Sequence, residues 1–222
     1  MEKIKRMANI YLAPSETFSD VKEKNDWLFP FIIVLLISLT VNFLIIPVSL
    51  PAQVQQIRNN PNLSIEQKNT SITMLQGIYP YISNAIVVLI VLVFTYFFMS
   101  GFISLIRFIF GGEKIAFKHV FSAVAYISVL NILASVFSYL IITSTGDLTA
   151  SLSLSLFFPG LSGYLGRVIG GISLFGVWQT FLYGVLLIVF YKYSRVKAFS
   201  IMFSSYLIWR LLSSIIDLSA LA

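Results

Sequence analysis

A charge or an amide inside a long apolar run is costly, and this chain keeps several. Arg210 is the clearest case, since it interrupts the last apolar run. Counted from Ala198, it lies about 18 Å along that run at about 1.5 Å per residue. A charge at such depth in a bilayer costs about 2.5 kcal/mol or more. Helical side chains tilt toward the N-terminus of their helix, so Arg210 cannot easily snorkel to the nearer surface. It is therefore expected to face a helix bundle or a watery cavity. Glu66, Asp147 and Asp217 are the acidic candidates on the same side. Asp217 stands two turns on, too far for direct contact without bending, so Asp147 or loop carbonyls are the expected partners. A structural clamp is the simpler role for Arg210, and contact with an anion or substrate is the sharper one.

Trp178-Gln179-Thr180 places an aromatic and two polar side chains near mid-run, and Asn42 and Asn131 add amides in two other runs. Amides between membrane helices act as packing glue, typically contributing about 0.6 kcal/mol per hydrogen bond. They also line wet paths. His119, the one histidine, falls at the start of the third run, where a helix N-terminus disfavours its protonated form. A hydrogen-bonded interfacial histidine is the plain reading, and Glu113 is its nearest acidic neighbour. There is no cysteine, no metal-ligand spacing, no paired carboxylate inside a run and no phosphate-cradling glycine loop. Neither catalysis nor a cofactor or metal is expected.

The elements that must position these residues are five apolar runs, at about 28–50, 81–110, 120–143, 168–191 and 198–218. About 20 apolar residues cross the hydrocarbon as a helix, and the runs lack the alternation of a barrel strand. The chain is 58% hydrophobic and 11% charged, far below the roughly 25% charge of soluble domains. The fold expected is an all-α membrane protein with five transmembrane helices. Residues 1–27 form a cytoplasmic interfacial segment. Residues 28–222 form the membrane domain, with outer loops 51–79 and 146–167.

Basic residues orient the bundle, because cytoplasmic loops are enriched in Lys and Arg. Lys3, Lys5, Arg6, Lys22, Lys24, Arg107, Lys114, Lys118, Lys192, Arg195 and Lys197 fall on one side, against Arg58, Lys68 and Arg167 on the other. The N-terminus is thus expected in the cytoplasm and the C-terminus outside. The net charge of +6 is topological and suits anionic lipid headgroups, and no nucleic-acid partner is expected. No cleavable signal is expected, since residues 1–27 lack its apolar core.

Local signals refine the layout. Ile4, Met7, Ala8 and Tyr11 form a stripe, with Lys3, Lys5 and Arg6 off it, as in a helix lying in the interface. Pro14-Ser15 offers a helix start with Ser15 as N-cap, and Phe18 and Val21 face membrane or bundle. Trp27 suits an interfacial anchor and Pro30 a first helical turn. Pro47 and Pro51 end the first run, Ser64 and Gln67 form a capping box, and Gly111-Gly112 ends the second run. Ser151 to Gly160 reads as an interfacial or re-entrant element. Gly166, Gly170 and Gly171 open the fourth run, and Gly166 with Gly170 forms a small-residue pair that permits close helix approach. That approach falls within the chain or in a homo-oligomer.

Several stretches resemble the Yip (Ypt-interacting protein) domain family of small multi-pass membrane proteins. They are Pro14-x-x-Thr17-Phe18 with Trp27-x-x-Pro30, and Phe117-x-His119-x-Phe121-x-x-x-Ala125-Tyr126. Leu174-Phe175-x-x-Trp178 and Tyr193-Ser194-x-x-Lys197-Ala198 complete the set. Family members often carry proline shortly after the tyrosine of the second motif, where this chain has Leu130 and Asn131. The acidic-Leu-Tyr-Gly-Pro motif of the eukaryotic Golgi members, which are associated with Rab GTPases, is absent. The resemblance implies a prokaryotic-type member in the plasma membrane, with the family's fold and no established activity. The leading function is a non-enzymatic protein that organises membrane or partner proteins. Its rivals are a small transporter or channel with a polar cavity near Arg210, and a lipid-interacting, bilayer-shaping protein. A lateral groove lined by polar residues and Phe would favour lipid handling.

Overall fold

The computed structural model describes residues 2–146, 152–158 and 160–215. The described residues form ten α-helices: α1 (Glu2–Leu12), α2 (Pro14–Glu23), α3 (Leu28–Asn59), α4 (Ile65–Gln76), α5 (Tyr79–Phe110), α6 (Phe117–Ile127), α7 (Leu130–Thr145), α8 (Gly163–Gly171), α9 (Leu174–Tyr191) and α10 (Arg195–Ser213). A short 3-10 turn covers Leu154–Phe157. Four segments are long and apolar enough to cross a bilayer: Leu28–Asn59, Tyr79–Phe110, Phe117–Thr145 and Leu174–Tyr191. The described part of the last run falls mainly in the 19-residue α10, which also takes in Arg195 and Lys197 and is not among those four.

The 120–143 run breaks at Ser128–Val129 between α6 and α7, and the expected helix ends shift in three further places. Pro47 and Pro51 do not end the first run; both lie inside the 32-residue α3, which continues to Asn59. Membrane helices tolerate proline where neighbouring polar groups supplement the thinned ladder. Here Ser49 donates its hydroxyl to the Ile46 carbonyl at 2.9 Å and accepts from Gln53 Nε2 at 3.0 Å. Second, Ser15 is not the N-cap of α2. Ala13 holds that place and Pro14 is the first helical residue, where its missing N–H costs no bond. Third, the 168–191 run is not one helix. It breaks at Ile172–Ser173, where an isolated bridge joins Ser153 to Ser173. Leu154 N donates to Ile172 O and Leu174 N to Leu152 O, both at 2.9 Å.

Other local signals hold. Ser64 and Gln67 complete their capping box at the start of α4. Gly111 and Gly112, at φ 75° and 116°, stop α5. An added Cβ on Gly112 would meet Tyr191 O and the Tyr193 ring at 2.9 Å, so only glycine fits that turn.

The core lies where α6 and α9 cross. Val120, Ala123, Tyr126, Ile127, Leu182, Leu186 and Phe190 are buried there together with Ile10, Phe18 and Val21 from the N-terminal helices. The α1–α2 pair stands alongside α6 and α9 and does not lie flat across their ends. At its base, Lys22 donates to Glu113, and His119 Nδ1 lies 3.4 Å from Val21 O. At its tip, Tyr11 donates to Val129 O at 2.7 Å and meets the Trp178 ring edge-on at 6.1 Å. Tyr11 is buried enough that its hydroxyl pKa is pushed up to about 12. The buried face of α1 is Arg6, Met7 and Ile10, while Ile4 is exposed. The stripe is therefore rotated from the expected one and takes in Arg6.

Within the chain, the close approach expected at Gly166 and Gly170 falls elsewhere. Gly166 is crowded by Leu161 O, from the loop before its own helix, and Gly170 faces open space. The seam between helices uses Gly176 and Gly184 of α9, which sit under Tyr206 and Phe199 of α10. Phe199 is pinned there, stacked on Phe181 at 5.2 Å. Gly184→Ala should therefore cost about 1–3 kcal/mol through overpacking. Gly170→Ala should be neutral or stabilising by about 0.5 kcal/mol, as for glycine in a helix interior. Unfolding of the two variants in detergent micelles, followed by circular dichroism, checks the contrast.

Candidate functional site: a lateral groove and a buried ion cluster

Arg210 lies near the end of α10, where three elements meet. Its Nη1 and Cδ would be 3.0 and 3.2 Å from a Cβ on Gly171, so the side chain lies close against α8 in the space that glycine leaves. Its guanidinium carbon stands 5.3 Å from the centroid of the Tyr206 ring, a cation–π geometry. The hydroxyls of Ser213 and Ser214 donate to the Arg210 carbonyl at 3.2 and 2.7 Å and so turn away from the guanidinium. Tyr164 donates to Leu211 O at 3.1 Å and Arg167 Nε to Ser214 O at 3.0 Å, which fastens α8 to this end of α10. The expected partners Asp147 and Asp217 lie outside the described residues. Among the described residues, the Arg210 Nε is buried and has no hydrogen-bond partner.

Arg210 borders a cavity of about 420 Å³ between α5, α9 and α10. Phe98, Met99 and Phe102 form one wall, and Gln179, Thr180 and Tyr183 form another. Ser205, Tyr206, Ile208 and Trp209 close it from α10. This volume falls in the range of ligand pockets, about 300–1,000 Å³. A second cavity of about 460 Å³ shares Phe102, Ser205 and Ile208 with the first and runs on past Ile106, Ile109 and Phe110. α5 and α10 thus flank one lateral groove without packing along their length.

Of the intramembrane polar candidates, Arg210 and Gln179 share this groove. Trp178, the neighbour of Gln179, turns instead to Tyr11. Asn42 does not bond across helices, because it donates to Ser38 O of its own helix at 2.8 Å. Asn131 sits half-buried at the start of α7, away from the groove.

Apart from Trp178, beside Gln179, and Pro14, near the tip of the α1–α2 pair, the family-motif residues collect at the opposite end of the bundle. Pro14 begins α2, Phe18 is fully buried edge-on to Phe190, and Trp27 packs edge-on to Phe31 and Phe121. Pro30 is buried in the first turn of α3 and Ala198 in that of α10. Lys197 donates to Phe110 O at 2.9 Å and stands 4.2 Å over the Tyr193 ring. Tyr126 is fully buried and donates to Asp26 Oδ2 at 3.1 Å.

That last bond belongs to a cluster the loop-charge argument missed. Arg6, only 4% exposed, donates from Nη1 to Asp26 Oδ2 at 2.6 Å and to the Tyr126 hydroxyl at 3.2 Å. Asp20 lies 3.6 Å from its Nε. Burial lowers the Arg6 pKa, but Tyr126 and Asp26 outweigh it, so the net shift is upward and the charge is secure. The available signal was the charge balance of residues 1–27, where Glu2, Glu16, Asp20, Glu23 and Asp26 match five basic residues. Glu113 pairs with Lys22 at 2.9 Å and not with His119. The Lys22 hydrogen bond holds the Glu113 carboxyl below its usual range.

Helices of this length and apolarity define a multi-pass membrane protein in contact with lipid. The Yip1 domain family model matches residues 8–216, nearly the whole chain, and the chain belongs to that family. No curated protein and no solved structure matches it.

Arg6→Met and Asp26→Asn should each destabilise the fold by about 2–4 kcal/mol, since each strands a buried charge or its partner. The double variant should recover part of that loss in a double-mutant cycle, read by thermal unfolding in detergent. The Lys22–Glu113 contact has the acid sign. Its contribution is present above the ordinary carboxylate pKa and disappears as pH falls through the lowered one. Acid should therefore increase proteolytic cutting of the α1–α2 base, and Lys22→Met should cut equally at both pH values.

Proposed function

We propose that the chain is a non-enzymatic membrane-organising protein that works by holding a lipid from the side. The observation that carries this reading is the groove between α5 and α10, where Phe98 and Phe102 face Gln179, Thr180 and Arg210. An apolar trough with a few polar groups at one end suits an amphiphile entering laterally from the bilayer. In this reading α10 is a fifth crossing, with the α1–α2 end in the cytoplasm and the C-terminus outside. The clustering of Lys22, Lys24, Lys114, Lys118, Lys192 and Lys197 at that end supports the orientation. A prokaryotic plasma membrane is the proposed location, and anionic headgroups are the proposed neighbours of the basic loops.

Purification in mild detergent followed by native mass spectrometry tests the groove. The wild-type chain should retain phospholipid, and Ser205→Trp, which fills the stretch shared by both cavities, should lose most of it while melting at a similar temperature. Lipid-free wild type, or equal retention by the variant, would overturn the reading.

A further inference from the structure

The geometry points to an anionic phospholipid as the occupant of the groove, with its phosphate on Arg210 and one acyl chain between α5 and α10. This assignment rests on the lipid-holding reading above and adds the headgroup chemistry and its direction. Among the described residues, Arg210 is the one charged group that borders the cavity, and no carboxylate lies within ion-pair distance of it. Its buried Nε has no acceptor, and a guanidinium left unpaired in an apolar wall is costly. Tyr206 and Gly171 fix the plane of the guanidinium without supplying a negative charge. A planar fork so held matches a phosphate, which can accept two parallel N–H bonds.

Direction follows from the rest of the groove. Away from Arg210 the α5 wall becomes Phe102, Ile106, Ile109 and Phe110, the α10 wall carries the uncharged hydroxyls of Ser200, Ser204 and Ser205, and no charged residue is among the described lining residues. At the far end Lys197 is committed to Phe110 O and the Tyr193 ring, and neither it nor Arg107 is among the residues that line the cavity. The trough is therefore charged at one end and uncharged, with one aromatic and aliphatic wall, along its length, which is the polarity of a phospholipid with its head at the α8–α10 junction.

The test uses the full chain reconstituted in vesicles of equal parts phosphatidylglycerol and phosphatidylcholine. Extracted protein is then analysed by native mass spectrometry. Wild type should retain phosphatidylglycerol over phosphatidylcholine by about tenfold, the scale of one charge-assisted contact. In Arg210→Gln phosphatidylglycerol retention should fall to that of phosphatidylcholine, so that the preference is gone, and Arg210→Lys should keep part of it. An undiminished preference in Arg210→Gln overturns the assignment, as does a wild type that binds lipid without preference. A preference that appears only in Asp147→Asn or Asp217→Asn would show that an acid already occupies Arg210 and would also overturn it. If neither wild type nor variant holds lipid, the groove reading itself fails.

Discussion

A backbone amide or carbonyl left unpaired in hydrocarbon costs several kcal/mol, and this chain interrupts its apolar segments repeatedly. Each interruption is met by a hydroxyl or a second stretch of backbone. In α3, Ser49 and Gln53 stand beside the two prolines. Between α6 and α7, Ser128 donates to Ala125 O and shares a hydrogen bond with the Tyr96 hydroxyl, while Tyr11 serves the Val129 carbonyl. Between α8 and α9, residues 152–154 supply the missing donors and acceptors. These repairs decide where helices can bend, and so where cavities can open.

The repair at Val129 ties the N-terminal hairpin to the membrane bundle. Tyr11 reaches that carbonyl only if α1 stands against α6, and α1 stands there only if Arg6 enters the core with its charge matched. Asp26, Tyr126 and Asp20 supply the match from the next segment and from α6 and α2. A buried ion cluster of this kind contributes little net stability compared with apolar packing. What it adds here is register, since one rotation of α1 satisfies Arg6, Ile10 and Tyr11 together.

The apolar runs and the terminating glycines Gly111 and Gly112 were legible because each rests on local chemistry. The capping box at Ser64 was legible for the same reason. The loop-charge argument treated Arg6 as one basic residue among many, because the pairing that buries it spans twenty residues to Asp26 and 120 to Tyr126. The break at Ile172–Ser173 was hidden likewise, for its cause is a bridge to Ser153 that composition does not encode. Arg210 and Gln179 were recognisable as misplaced polar residues. That they share a groove while Asn42 and Asn131 do not depends on helix rotation, which hydropathy in a fully apolar run cannot report.

The groove itself follows from where the small residues fall. Gly176 and Gly184 let α10 settle close against α9, with Tyr206 and Phe199 filling the space a Cβ would take. Sulfur, hydroxyl and ring side chains such as Met202, Ser205 and Tyr206 then face a gap on the α5 side. α5 cannot follow α10 inward, because Tyr96 is held by Ser128 and packed against Phe31 and Phe121. One helix is thus drawn toward α9 and its neighbour is anchored to α3 and α6, so the space between them stays open. Closing it would require giving up either the glycine seam or the tyrosine anchor, which places the groove among the consequences of the packing and not among its defects.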